Sequence, residues 1–124
     1  MARKRIVALE GDGIGIEVVQ ATCKLLKSSG FDLDVSIAPS GESAFKTHGS
    51  VLPKESVDLC EAADAILFGA VSPISDPIIH YLRWGLGNYI NVRPIKYYPG
   101  TNSPLKDPDG IDFVILREQS EGLY

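Results

Sequence analysis

The stretch "LEGDGIGIEVV", Leu9 to Val19, sets glycines on both sides of an aspartate, adds a third glycine, and then runs into a helix-like segment. It follows "RIVAL", a short unbroken apolar run of the kind a strand shows when both its faces are buried. A glycine-rich turn between strand and helix is the place where a dinucleotide-binding fold holds its pyrophosphate. That fingerprint needs glycines at its first, third and sixth positions. Counting from Gly11, the third position is Gly13 but the sixth is Ile16, and Gly15 stands one residue early. The fingerprint also wants an acid at the end of the second strand, to hold the ribose hydroxyls. Here Asp32 and Asp34 open that strand and its end reads "IAPSG". Both tests fail, and the motif reads as a tight strand-to-helix turn.

Outward from this turn the elements alternate. In "IEVVQATCKLLKSSG" Ile16, Val19, Cys23 and Leu26 share one helical face, and Gly30 stands where a helix ends. "FDLDVSIAP" alternates strictly, with Phe31, Leu33, Val35 and Ile37 on one side. "GESAFKTHG" is a short helix closed by Gly49, and Pro53 opens another in "LPKESVDLCEAA". "DAILFGAV" is a second buried strand. The order β-α-β-α-α-β predicts an α/β layer over residues 4–95, with strands near 5–9, 33–38 and 65–69. Next come a proline-punctuated loop, a short helix "IIHYLRWGL", and an extended run "YINVRPIKYY". "PGTNSPLKDPDG" holds three of the eight prolines and reads as a loop crossing between two units. "IDFVILRE" is a last strand. The boundaries expected are residues 1–98 for the first domain and 99–124 for the crossing loop and the first strand of a second. One strand cannot satisfy its backbone, so the 124 residues read as part of a longer protein or as a chain completed by another.

Composition excludes several classes. Net charge is −4, and "RKR" at Arg3–Arg5 is the one basic cluster, which argues against nucleic acid as a partner. No apolar run is long enough to span a membrane, and the basic N-terminus leads into a strand rather than a signal sequence. Cys23 and Cys60 form no CxxC, have no histidine pattern nearby, and sit in apolar helical stretches; they read as buried free thiols in a cytoplasmic protein.

Three arginines stand out. Arg83 lies in a helix-like segment, while Arg93 follows "YINV" and Arg117 follows "FVIL". A charge within an apolar run is costly unless paired. Guanidinium groups match planar carboxylates with two N–H bonds, so convergence of the three would suit a small di- or tricarboxylate. The alternative is pairing of Arg93 and Arg117 with internal acids such as Glu118 or Asp112.

The pieces "EGDGIGIEVV", "LPKESVDLCEAADAILFGAVS", "YLRWGLGNYINVRPIKYY" and "DFVILREQSEGLY" together resemble the N-terminal third of the β-decarboxylating dehydrogenases, the isocitrate and 3-isopropylmalate dehydrogenase family. The resemblance implies an isopropylmalate dehydrogenase-like α/β fold with an incomplete parallel-rich layer. It implies oxidative decarboxylation of a 3-substituted malate, with NAD or NADP as oxidant and Mg2+ or Mn2+ held beyond residue 124. A homodimer is implied for the whole protein. Arg83, Arg93 and Arg117 match the arginines that grip the malate, and Tyr124 matches the tyrosine that protonates the enol. Ile14 and Asp76 fall nearest the cofactor. Ser-x-Asn, typical of isocitrate enzymes, is replaced by Pro77 and Ile79. Ile79 suits an alkyl substituent, and His80 a distal carboxylate, as in homoisocitrate. A second reading is a non-catalytic short chain that binds an anion or pairs with another subunit.

Overall fold

A computed structural model describes residues 3–121. They divide after Tyr81 into two compact units.

The first unit is built on a parallel sheet of order β2-β1-β3, with β1 Lys4–Leu9, β2 Leu33–Ala38 and β3 Ala65–Phe68. β1 lies in the middle, which is why "RIVAL" carries no polar residue after its arginine: Val7, Ala8 and Leu9 are buried. On one face Ala8 meets Val19 and Cys23 of helix α1, Ile14–Ser28, with Val35 and Leu67 packed beside them. On the other, α3, Lys54–Ala62, packs against β2. Fully burying a Leu or Val side chain contributes about 1.5–3 kcal/mol, so the middle strand anchors the layer. Phe31 lies before β2 begins and is exposed, and Ile37 is exposed despite the alternation because β2 is an edge strand whose one buried residue is Ala38 at its end. The short helix α2, Gly41–His48, ends at Gly49 in the left-handed conformation. Ser56 takes a core position in α3, where its hydroxyl donates to Pro39 O at 2.7 Å. After β3 a 3-10 turn, Pro73–Ser75, leads into α4, Asp76–His80.

The second unit opens with a π-helical turn, Tyr81–Gly85, and continues as an antiparallel pair, β4 Ile90–Lys96 and β5 Asp112–Glu118. The division at residues 81 and 82 differs from the one expected at the proline-rich loop near residue 99. The physical reason is that β4 finds its ladder in β5, not in the parallel layer, so β5 is not a lone strand. Tyr97 N–H donates to Ile111 O at 2.9 Å and Gln119 N–H to Tyr89 O at 3.0 Å, closing both ends of the pair. Val92, Val114, Leu116 and Ile115 all stay more than two-fifths exposed, so both faces of this hairpin are largely bare.

Candidate functional site

In the first unit, β2 and β3 flank β1, so the crossovers after β1 and after β2 travel in opposite directions along the sheet and cover opposite faces. Such a switch point, at the carboxyl ends of the strands, is where open α/β sheets form crevices for ligands. The turn Glu10–Gly13 and the stretch Gly69–Ser75 meet here. They are drawn together by hydrogen bonds within the chain. Gly11 N–H donates to Ser40 Oγ at 3.1 Å, Asp12 N–H to Ala70 O at 2.7 Å, and Gly15 N–H to Asp12 O at 2.9 Å. Two of the turn's amide donors, and that of Gly15 in the first turn of α1, are therefore already committed, which is not the open cradle that a pyrophosphate requires.

The Asp12 carboxylate fills the space between. One oxygen accepts Glu42 N–H at 2.7 Å, so it caps α2, whose own flanking residue Ser40 makes no side-chain cap. The other accepts Ser72 N–H at 2.8 Å. Burial alone raises the pKa of this carboxyl. The Ser75 hydroxyl, the two amide donors and the Ser72 hydroxyl favour the charged form and more than offset it, leaving the pKa below the usual aspartate value. The two hydroxyls are buried and lie outside hydrogen-bonding geometry, so they act on Asp12 only as nearby dipoles. The packing is tight enough that a Cβ on Gly41 would collide with Asp12 Oδ1 and Gly11 O.

Ile14 projects from the first turn of α1 and is 74% exposed. Asp76 and Ile79 line a shallow groove with Val71, Ser72 and Pro73. His80 Nε2 lies 3.3 Å from Asp76 Oδ2, so the two face one another along α4.

In the second unit the register decides which side chains meet. Asn91 lies opposite Arg117 and Arg93 opposite Ile115. All four share one face, because residues two apart on a strand point the same way. Arg93 and Arg117 are diagonal neighbours, about 7 Å apart on such a ladder. Arg93 Nε donates to Asn91 Oδ1 at 3.0 Å, Asn91 Nδ2 to Gln119 Oε1 at 3.3 Å, and Gln119 Nε2 to Asn88 O at 3.2 Å. This amide relay braces the guanidinium from behind. Asp112 and Glu118, the acids that sequence offered as internal partners, lie on the opposite face by the same parity. Asp112 is held by Lys96 at 2.6 Å. Glu118 accepts the hydroxyl and amide of Ser120, which hold its pKa below the usual glutamate value.

The structure thus brings Arg93 and Arg117 together. Arg83 stands half-buried on the Tyr81–Gly85 turn, outside the ladder. Tyr124 lies outside the described residues. Among the described residues no group of three or more His, Cys, Asp or Glu is placed to hold a metal. No described helix is long and apolar enough to cross a membrane. Sequence reasoning passed over Asp12 and the Asn91–Gln119 relay. An aspartate between two glycines in a strand-to-helix turn was the signal for the first; for the second only the strand register could have shown it.

The α/β fold agrees with that of a solved structure to which this chain is similar, and its sequence with that of a known family. Residues 5–124 match the family described as isocitrate/isopropylmalate dehydrogenase, and the chain belongs to that family. It is similar to the 3-isopropylmalate/3-methylmalate dehydrogenase of Methanocaldococcus jannaschii, 41% identical over 120 residues, covering 97% of this chain and 35% of that protein. The 3-isopropylmalate dehydrogenase of Archaeoglobus fulgidus is 37% identical over 121 residues, covering 98% of this chain and 36% of the relative. Among solved structures, isocitrate dehydrogenase from Methylococcus capsulatus superposes with a TM-score of 0.79 at 29% identity, covering 97% of this chain and 36% of the other. The chain spans about a third of the length of the curated relatives it matches.

Proposed function

We propose that these residues are the N-terminal part of an NAD- or NADP-dependent oxidative decarboxylase acting on a 3-substituted malate of the 3-isopropylmalate, homoisocitrate or isocitrate type. The observation that carries the reading is the shared face of Arg93 and Arg117 on the β4–β5 ladder. Two guanidinium groups on one face suit a polycarboxylate, which can accept paired N–H bonds from both. The Asn91 amide orients Arg93 so that its fork is set before the substrate arrives, which lowers the entropy lost on binding. In this reading Arg83 adds a third contact, and Tyr124 protonates the carbon that loses CO2. When bound, the nicotinamide accepts the hydride from the 2-hydroxy carbon; it and Mg2+ or Mn2+ are assigned to parts of the protein beyond these residues. In the same reading the cofactor-side roles are assigned to Ile14 and Asp76, and recognition of the 3-substituent to Ile79 and His80. The working form in this reading is a cytoplasmic homodimer. Support comes from the family match and from relatives named for 3-isopropylmalate.

The test is a chimaera in which residues 1–124 replace the corresponding part of the M. jannaschii dehydrogenase. Reduction of NAD or NADP is followed with 3-isopropylmalate, 3-methylmalate, homoisocitrate and isocitrate. The expected result is turnover with at least one of them, abolished or strongly reduced by Arg93→Ala. A chimaera that melts cooperatively but turns over none of the four overturns the proposal and leaves the non-catalytic reading.

A further inference from the structure

Asp12 has more attachments than its turn needs. Its backbone N–H holds Ala70, and its two carboxylate oxygens hold Glu42 and Ser72. Three stretches of chain, after β1, at the start of α2 and after β3, are therefore tied to one residue. The stretch that begins at Ser72 has few other polar anchors. Pro73 and Pro77 have no amide donor to give. Ser75 N–H turns back on Ser72 O at 3.0 Å, so it shapes the turn without fastening it to the sheet. The Ser72 and Ser75 hydroxyls are buried without a hydrogen-bond partner. The anchors of the stretch include the fully buried Ile78 and Ser75, and its shortest bond to the turn after β1 is that from Ser72 N–H to Asp12 at 2.8 Å. An apolar anchor tolerates rotation, whereas a charge-assisted hydrogen bond fixes direction as well as distance.

We propose that Asp12 is a positioning residue. Its carboxylate sets the angle at which Ser72–His80 leaves the sheet, and so sets the wall of the groove lined by Val71, Pro73, Asp76 and Ile79. Resting on the proposed function, that wall meets the 3-substituent of the malate. Asp12 then governs how sharply the enzyme separates alkyl from carboxylate substituents, without touching the substrate itself.

Asp12→Asn keeps the shape and one acceptor but replaces the other with an amide that cannot accept, so either Glu42 or Ser72 loses its bond. Amide hydrogen exchange in the 124-residue chain reads the first half of the proposal. Ser72 and the residues of α4 should exchange roughly tenfold faster or more, while Val7, Ala8 and Leu9 keep their rates. Uniform acceleration would make Asp12 a general fold clamp, and no acceleration of α4 in either Asp12→Asn or Ser72→Pro would remove the tether; either result overturns the proposal. Ser72→Pro serves where Asp12→Asn does not fold. It deletes the same donor, and Ser72 already has φ −78°, which proline accepts. The second half is read in the chimaera as the ratio of kcat/KM for 3-methylmalate over isocitrate, which should move toward one by about tenfold. An unchanged ratio with both activities lowered equally overturns the selectivity role. Absence of turnover in the unmutated chimaera overturns the proposed function and the selectivity role with it, while the exchange measurement still decides the tether.

Discussion

Gly41 and Gly49 offer a matched pair of substitutions at the two ends of α2. Both have positive φ, +77° and +71°, a region an alanine enters at a cost of about 1–2 kcal/mol. Both changes also recover roughly 0.4–1 kcal/mol by stiffening the unfolded chain. At Gly49 nothing lies within 4 Å of the new Cβ, so those two effects are the whole account and the net loss is about 1 kcal/mol. At Gly41 the new Cβ collides with Gly11 O and Asp12 Oδ1, one of them backbone. Relieving that overlap requires moving the turn or the carboxylate, and overpacking of this kind costs roughly a further 1–3 kcal/mol. The measurement is urea unfolding of the 124-residue chain and its two variants, followed by circular dichroism. With a slope of about 1.5 kcal/mol/M, the midpoint of Gly41→Ala should fall about 1 M or more below that of Gly49→Ala. Because the two backbone terms are common to both variants, the difference isolates the collision. Equal midpoints would show that the Asp12 junction is loose, and would refute the close-packed geometry on which its positioning role depends.

Other expectations follow from the same structure. In the chimaera, Arg93→Lys keeps the charge but loses the fork, and kcat/KM should fall by roughly thirty- to a hundredfold; an unchanged value would remove Arg93 from the site. Asp12 has a folded pKa below its unfolded one, so its contribution to stability is present above the ordinary carboxylate range and is lost as pH falls through the folded value. The acid limb of a stability-versus-pH curve should therefore be shallower in Asp12→Asn, and an identical limb would count against the hydrogen bonds described. Cys23 and Cys60 are each only 4% exposed, and burial raises the Cys60 thiol's pKa, with Glu61 adding to the rise. A thiol reagent at neutral pH should modify both only after denaturant is added; rapid labelling of the native chain would contradict their burial.

Much of the first unit was legible because its signals are local. "RIVAL" and "AILF" lie between turn residues, and Gly49 and Pro53 mark helix ends through their own backbone limits. The alternation in β2 was read correctly as a strand, but Ile37 was not distinguishable from Leu33 and Val35. Edge position is a property of the sheet order and leaves no mark in the strand's own pattern. The partner of β4 was illegible for a related reason. A strand's sequence states that it needs a ladder but not which strand supplies it, and here the supplier lies beyond a long loop. Parity along β4 sets Arg93 on the face of Asn91, and along β5 sets Arg117 on the face of Ile115. Only the register between strands could put Arg93 and Arg117 on one face. Asp12 is the extreme case, since its carboxylate's partners are 30 and 60 residues away.

Pro94 gives the hairpin a direction of growth. The bonds from Tyr97 to Ile111 and from Gln119 to Tyr89 make the odd-numbered residues of β4 the ones whose amides face β5. Pro94, opposite Val114, belongs to the other set, so its nitrogen looks away from β5 and the pair loses no ladder bond to it. The cost falls on the outer edge, where a further strand beside β4 would find a missing donor and a ring in the middle of its path. The outer edge of β5 carries no proline. Any sheet that extends this hairpin is therefore steered to add strands beyond β5, and β4 is shielded from pairing with stray chains.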